Sequence, residues 1–101
     1  MTSMPIGEVF VQRELEFHAL DGSTQTTMVR IGRPIQEPDG PWLCPYLIEA
    51  PLFERQFRIA GEDSMQALLL AQKIVAVELE VLARDNGGTF TWFGDSDLGL
   101  A

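Results

Sequence analysis

The chain has 101 residues, of which 46% are apolar, 22% charged and 9% aromatic, the composition of one globular domain (1–101) with no room for a second. Fifteen acids against seven bases give a net charge of -8, and the bases are spread from Arg13 to Arg84, so neither nucleic acid nor an anionic membrane surface is an expected partner. Residues 1–7 lack a leader pattern, the longest apolar run (Ala67 to Ala71) is far short of the roughly 20 residues a bilayer span needs, and the single Cys44 cannot close an intrachain disulfide, so a cytoplasmic protein is expected.

From Val9 to Ala19 the pattern has period two: Val9, Val11, Arg13, Leu15, Phe17 and Ala19 share one side, with Phe10, Gln12, Glu14, Glu16 and His18 on the other. That is a half-buried strand. Asp21-Gly22 then predicts a hairpin into Thr24 to Ile35. Pairing Leu15 with Val29 and Phe17 with Thr27 keeps apolar residues together, leaves the loop Asp21-Gly22-Ser23, and sets Glu14 opposite Arg30. Glu37 to Pro41 is a turn by composition, and Trp42 to Glu49 is a third strand whose Pro45 predicts an edge position or a bulge. Phe53 to Ala60 alternates Phe53, Arg55, Phe57 and Ile59 against Glu54, Gln56 and Arg58, a fourth strand.

The helix signal is the strongest in the chain. Asp63 can cap with Gln66 reaching back, no Gly or Pro interrupts residues 64 to 86, and Gly87-Gly88 supplies the stop. Leu68, Ala71, Val75, Leu79 and Leu82 form its apolar face, opposite a polar stripe of Gln66, Lys73, Glu80 and Arg84. A second apolar seam, Ala67, Leu70, Ile74, Val77 and Val81, widens the arc beyond what one sheet covers, so either loops wrap the helix or a second chain covers the remainder. A homodimer through the helix flank or a sheet edge is therefore expected. Thr89 to Phe93 is a last strand, and residues 1–7 and 95–101 read as loose termini.

Few side chains offer chemistry. His18 points outward with no second His, and Cys44 lies in an apolar run without a cation or imidazole to lower its pKa, so neither is assigned a catalytic role, and no metal or cofactor is expected. Asp95-x-Asp97 lacks the remaining positions of a calcium loop, and Gly87-Gly88 ends a helix where a phosphate loop would start one. Glu78 stands out because it falls within the helix's apolar arc, where a carboxylate needs a partner; Arg13 and Arg55, both on inward-facing parity, are the candidates. Trp42 and Tyr46 join them as candidate ligand or interface residues. Together with Phe53, Phe57, Phe90 and Trp92 they are numerous enough to line a concave site, and equally numerous enough to be core.

Three segments, Ile31-Gly32-x-Pro34, Trp42-x-Cys44-Pro45-Tyr46 and Gly61-x-Asp63-Ser64-x-Gln66-Ala67-Leu68, resemble a family of small bacterial domains of unknown function. The resemblance spans about nine-tenths of the chain. It implies an α+β domain and carries no assigned activity, cofactor or catalytic residue. Some families of similar size and acidity are immunity proteins against secreted toxins, an analogy of scale only.

The expected architecture is α+β: an antiparallel sheet of four or five strands in the order β-β-β-β-α-β, one long helix across one face, and a wet outer face bearing Gln12, Glu14, Glu16 and His18. Three functions follow in order of preference. The first is a non-catalytic binding or accessory module that acts on a protein partner through its acidic outer sheet face or an apolar helix flank, an immunity-type inhibitor being one form of it. The second is a small-ligand binder with aromatic walls, anchored by Glu78 or Arg55. The third is an enzyme using Cys44 or His18.

Overall fold

In the computed structural model of the protein, which describes residues 7–100, the first hairpin takes its register from one glycine. Strands β1 (Val9–Ala19) and β2 (Thr24–Gly32) run antiparallel. Gly22 has φ +90° and closes the loop after Leu20 and Asp21, the last position of a three-residue loop and the one that asks for left-handed backbone. The Asp21 carboxylate accepts from the Ser23 amide (2.8 Å) and hydroxyl (2.6 Å), bonds that hold its pKa below the usual carboxylate range. With Gly22 last in the loop, Leu15 pairs with Thr27 and Phe17 with Gln25, two residues away from the expected alignment. A shift of two preserves parity, so the inward and outward faces are those read from the alternation. The expected Glu14–Arg30 pair does not form. Glu14 faces Met28, while Arg30 faces Gln12 and bridges to Glu49 at 3.2 Å.

After β2 come β3 (Ile35–Gln36), β4 (Trp42–Ala50) and β5 (Phe53–Gly61). β5 pairs with β4 along its whole length, and the other edge of β4 is shared by β2, at Tyr46–Glu49, and β3, at Trp42 and Leu43. Pro45 falls in the gap where pairing passes from β2 to β3, so its missing N–H leaves no ladder bond unmade there. β4 is therefore an interior strand, and the edge position expected for it belongs to β5. β6 (Gly88–Thr91) closes the far side against Glu16–Ala19 of β1. The two-residue β3 is the one strand beyond the expected order, and the antiparallel α+β architecture is otherwise as read.

Helix α1 (Ser64–Asp85) begins at Asp63, whose side chain accepts from the Gln66 amide at 2.7 Å, while the Gln66 side chain accepts from the Glu62 amide. It buries Ala67, Ala71, Val75, Leu79 and Leu82 against Leu15, Phe17, Ile31, Cys44, Tyr46 and Ile48 of the sheet. The approach is closest at its start, where a Cβ on Gly61 would lie 2.5 Å from the Ala67 nitrogen. At the other end the space is filled by Phe17, Phe53 and Phe90, with ring centroids 5.0 to 5.9 Å apart.

Beyond β6, where the sequence reading has a loose segment from residue 95, the chain folds back. Phe93 (φ 50°) and Gly94 (φ 80°) make a tight turn, with reciprocal 2.9 Å backbone bonds between Trp92 and Asp95. Leu98 and Leu100 then pack on the core. Of the other expected loose segment, residues 1–6 lie outside the described residues, as does Ala101. Among the described residues no helix is long and apolar enough to cross a membrane.

Candidate functional site

Of the five residues singled out from the sequence, the fold brings three together. Tyr46 and Arg55 lie on the helix face of β4 and β5, and Glu78 comes down to them from α1. The buried Tyr46 phenol donates to Glu78 Oε2 at 2.7 Å, a charge-assisted bond worth roughly 1.5–3 kcal/mol. Burial, and then the adjacent Glu78 carboxylate, push the Tyr46 pKa upward, so the phenol stays a donor. Arg55 Nε stands 4.0 Å from Glu78 Oε1 with much of its side chain in water, a pairing worth at most ~1 kcal/mol. The carboxylate in the apolar arc thus takes a neutral phenol as its main partner. Tyr46 sits on inward parity beneath the helix, so this pairing is visible in the alternation once the helical wheel is laid over it.

Arg13 and Trp42 lie elsewhere. The Arg13 guanidinium stacks 3.8 Å from the centroid of the Trp92 ring and donates to the carbonyls of Leu98 (2.8 Å) and Gly99 (3.2 Å), tying the C-terminal segment to β1. Trp42 is half-buried against the core, opposite Gly61 and Gln36. Cys44 is fully buried, its thiol donates to the Gly32 carbonyl at 3.5 Å, and burial pushes its pKa up to about 11. His18 lies against two hydroxyls, Thr91 Oγ1 at 2.8 Å and Thr24 Oγ1 at 3.4 Å. Among the described residues no group of three His, Cys, Asp or Glu side chains is placed to share a metal ion.

The two flanks of α1 differ. On one side Ala76, Leu79 and Ala83 face Leu98 and Leu100 across an open groove of about 400 Å³, and Gln72 donates to the Leu100 carbonyl. Its lining includes a single aromatic ring, that of Phe90, so the aromatic-walled pocket considered from the sequence is not assembled there. On the other side, facing β5, no segment among the described residues covers the helix. Val77 is 54% exposed, Ile74 36%, and Phe57 60%. Glu78 beside Arg55 and Ala67 beside Gly61 show that α1 runs antiparallel to β5, which places Phe57 between those two contacts, alongside the Ile74 turn. Ile74 and Val77 belong to the second seam of the helical wheel, whose Ala67 is instead buried in the core, and Met65 and Leu69 leave further apolar area exposed on the helix. Next to it, β5 has β4 as its only strand neighbour among the described residues, so the outer edge of β5 is open.

Comparison with known proteins finds one family, described as Domain of unknown function (DUF6968), whose model matches residues 11–101. No curated protein and no solved structure matches the chain.

Proposed function

For a chain that belongs to the DUF6968 family of domains of unknown function, we propose the role of a non-catalytic protein-binding module in a bacterial cytoplasm. The observation that carries this reading is the asymmetry of α1. The protein uses its own Leu98 and Leu100 to cover one flank and leaves Ile74, Val77 and Phe57 in water on the other, beside an open strand edge. An apolar strip next to unpaired backbone is the kind of surface that partners of soluble domains cover, by strand addition at the edge and side-chain packing above it. The Tyr46–Glu78–Arg55 group supports the role by stiffening the base of that flank. The buried thiol of Cys44 and the hydroxyl-flanked His18 are placed as structural side chains in this reading, and the free thiol suits a reducing compartment.

A photoreactive benzophenone side chain introduced at Val77, with the same group at Lys73 on the polar stripe as control, tests this in the producing cell. The role requires a protein adduct at position 77 and none at position 73. If position 77 yields no adduct, this surface is not a docking site.

A further inference from the structure

The β5 edge is self-complementary. Building on the protein-binding role above, we infer that the surface is occupied by a second copy of this chain, joined through β5 in antiparallel pairing about a two-fold axis at Gln56. In that register Glu54 meets the partner's Arg58 and Arg58 meets the partner's Glu54, with Gln56 facing its own counterpart on the outer face of the sheet. On the helix face Phe57 meets the partner's Arg55, a cation over an aromatic ring, and Phe53 meets the partner's Ile59.

Two further features favour a copy over an unrelated partner. The first is charge. A protein of net charge -8 repels its copy over most of its surface, but β5 carries Arg55 and Arg58 against the single acid Glu54 and so has a net positive charge, whereas the edge strands β3 and β6 carry no charge. The stretch of β1 that β6 leaves free holds Glu14 as well as Arg13, and that arginine is already engaged by the C-terminal segment. The second is spacing. α1 lies over both β4 and β5, so across the axis its counterpart stands two strand spacings away, ~10 Å at ~4.8 Å per strand. That matches the ~8–10 Å between packed helices, and it sets the Ile74–Val77 flanks against each other. One two-fold operation thus covers the open edge, Phe57 and the uncovered seam together.

Sedimentation equilibrium of the full chain at high micromolar concentration is expected to give twice the 11.3 kDa monomer mass. Glu54→Arg alone and Arg58→Glu alone each place like charges opposite one another twice per interface, and each is expected to weaken association at least ~10-fold, a difference of about 1.4 kcal/mol. The double reversal Glu54→Arg/Arg58→Glu restores complementarity and should recover the dimer. Gln56→Cys should oxidise to a disulfide-linked dimer, because facing residues of an antiparallel pair lie within disulfide reach; Glu54→Cys, four positions from its counterpart, should not. A wild-type monomer overturns the inference. A dimer indifferent to the charge reversals, or a Gln56→Cys variant that fails to cross-link, overturns this arrangement. A monomer whose position 77 still captures a different protein removes the second copy and leaves the binding role standing, whereas the absence of any adduct removes both.

Discussion

The phenol of Tyr46 and the carboxylate of Glu78, 32 residues apart in sequence, meet at 2.7 Å beneath the uncovered flank of the helix. The bond resolves how an acid sits within an apolar arc: a buried donor satisfies one oxygen, while the other faces Arg55 and water. Tyr46→Phe is expected to cost about 1.5–3 kcal/mol in denaturant unfolding, and Arg55→Ala under ~1 kcal/mol. Glu78→Gln keeps an acceptor and should fall between them. A Tyr46→Phe/Glu78→Gln cycle with zero coupling energy would show that the bond contributes nothing to stability.

Cys44 gives a prediction with a defined pH window. Burial raises its thiol from 9.0 to about 11, so the folded form holds its proton longer than the unfolded chain does. The associated stability is complete below pH 9 and is lost as pH climbs from 9 to 11, by roughly 2–3 kcal/mol at about 1.4 kcal/mol per pKa unit. Tyr46, also raised, adds to the loss from pH 10 upward. Unfolding measured from pH 8 to 11 should show this decline, with a shallower slope for Cys44→Ala. At neutral pH, thiol labelling of the folded protein should proceed no faster than opening of the fold. Labelling as fast as in a free peptide would place the thiol at the surface and reopen a catalytic role for it.

Arg13 holds the C-terminal segment by two carbonyl bonds and the face of Trp92. Arg13→Ala removes all three and should speed amide exchange at residues 95–100, with about 1–2 kcal/mol of lost stability. Arg13→Lys should recover only part, since an ammonium cannot both stack flat on the indole and fork to two carbonyls. Unchanged exchange in the alanine variant would mean that Leu98 and Leu100 dock without help.

Gly61 sits where α1 crosses β5 most closely, and a Cβ there would lie within 3.0 Å of three Ala67 atoms, two of them backbone. Gly61→Ala therefore has to push the start of the helix away from the sheet. The expected cost is about 1–3 kcal/mol, the range for overpacking, accompanied by faster exchange in the first turns of α1. A neutral effect on the melting temperature would mean that the helix start yields freely.

Much of the fold is legible in the order of the residues because it rests on local signals. Asp63, Gln66 and the Gly87 stop bracket α1, and the alternation through Phe53–Ile59 marks β5 together with the faces of its side chains. The helical wheel marks an apolar arc wider than the core buries, and of its second seam Ile74 and Val77 stay exposed while Ala67 goes into the core. What sequence spacing leaves open depends on partners distant in the chain. The hairpin register turns on which loop position takes the left-handed glycine, a choice between alignments of equal parity. The docking of residues 95–100 depends on Arg13, 85 positions before Leu98, and the interior place of β4 depends on where β2 gives way to β3 around Pro45.

The central claim, that the β5 edge and the helix flank above it are covered by a second copy of this chain, is tested most directly by amide exchange along β5, followed residue by residue as protein concentration is raised. Amides bonded to β4 should be protected throughout, and the alternate amides that face away from β4 should become protected as concentration rises. Outward amides that exchange at one rapid rate at every concentration would contradict it.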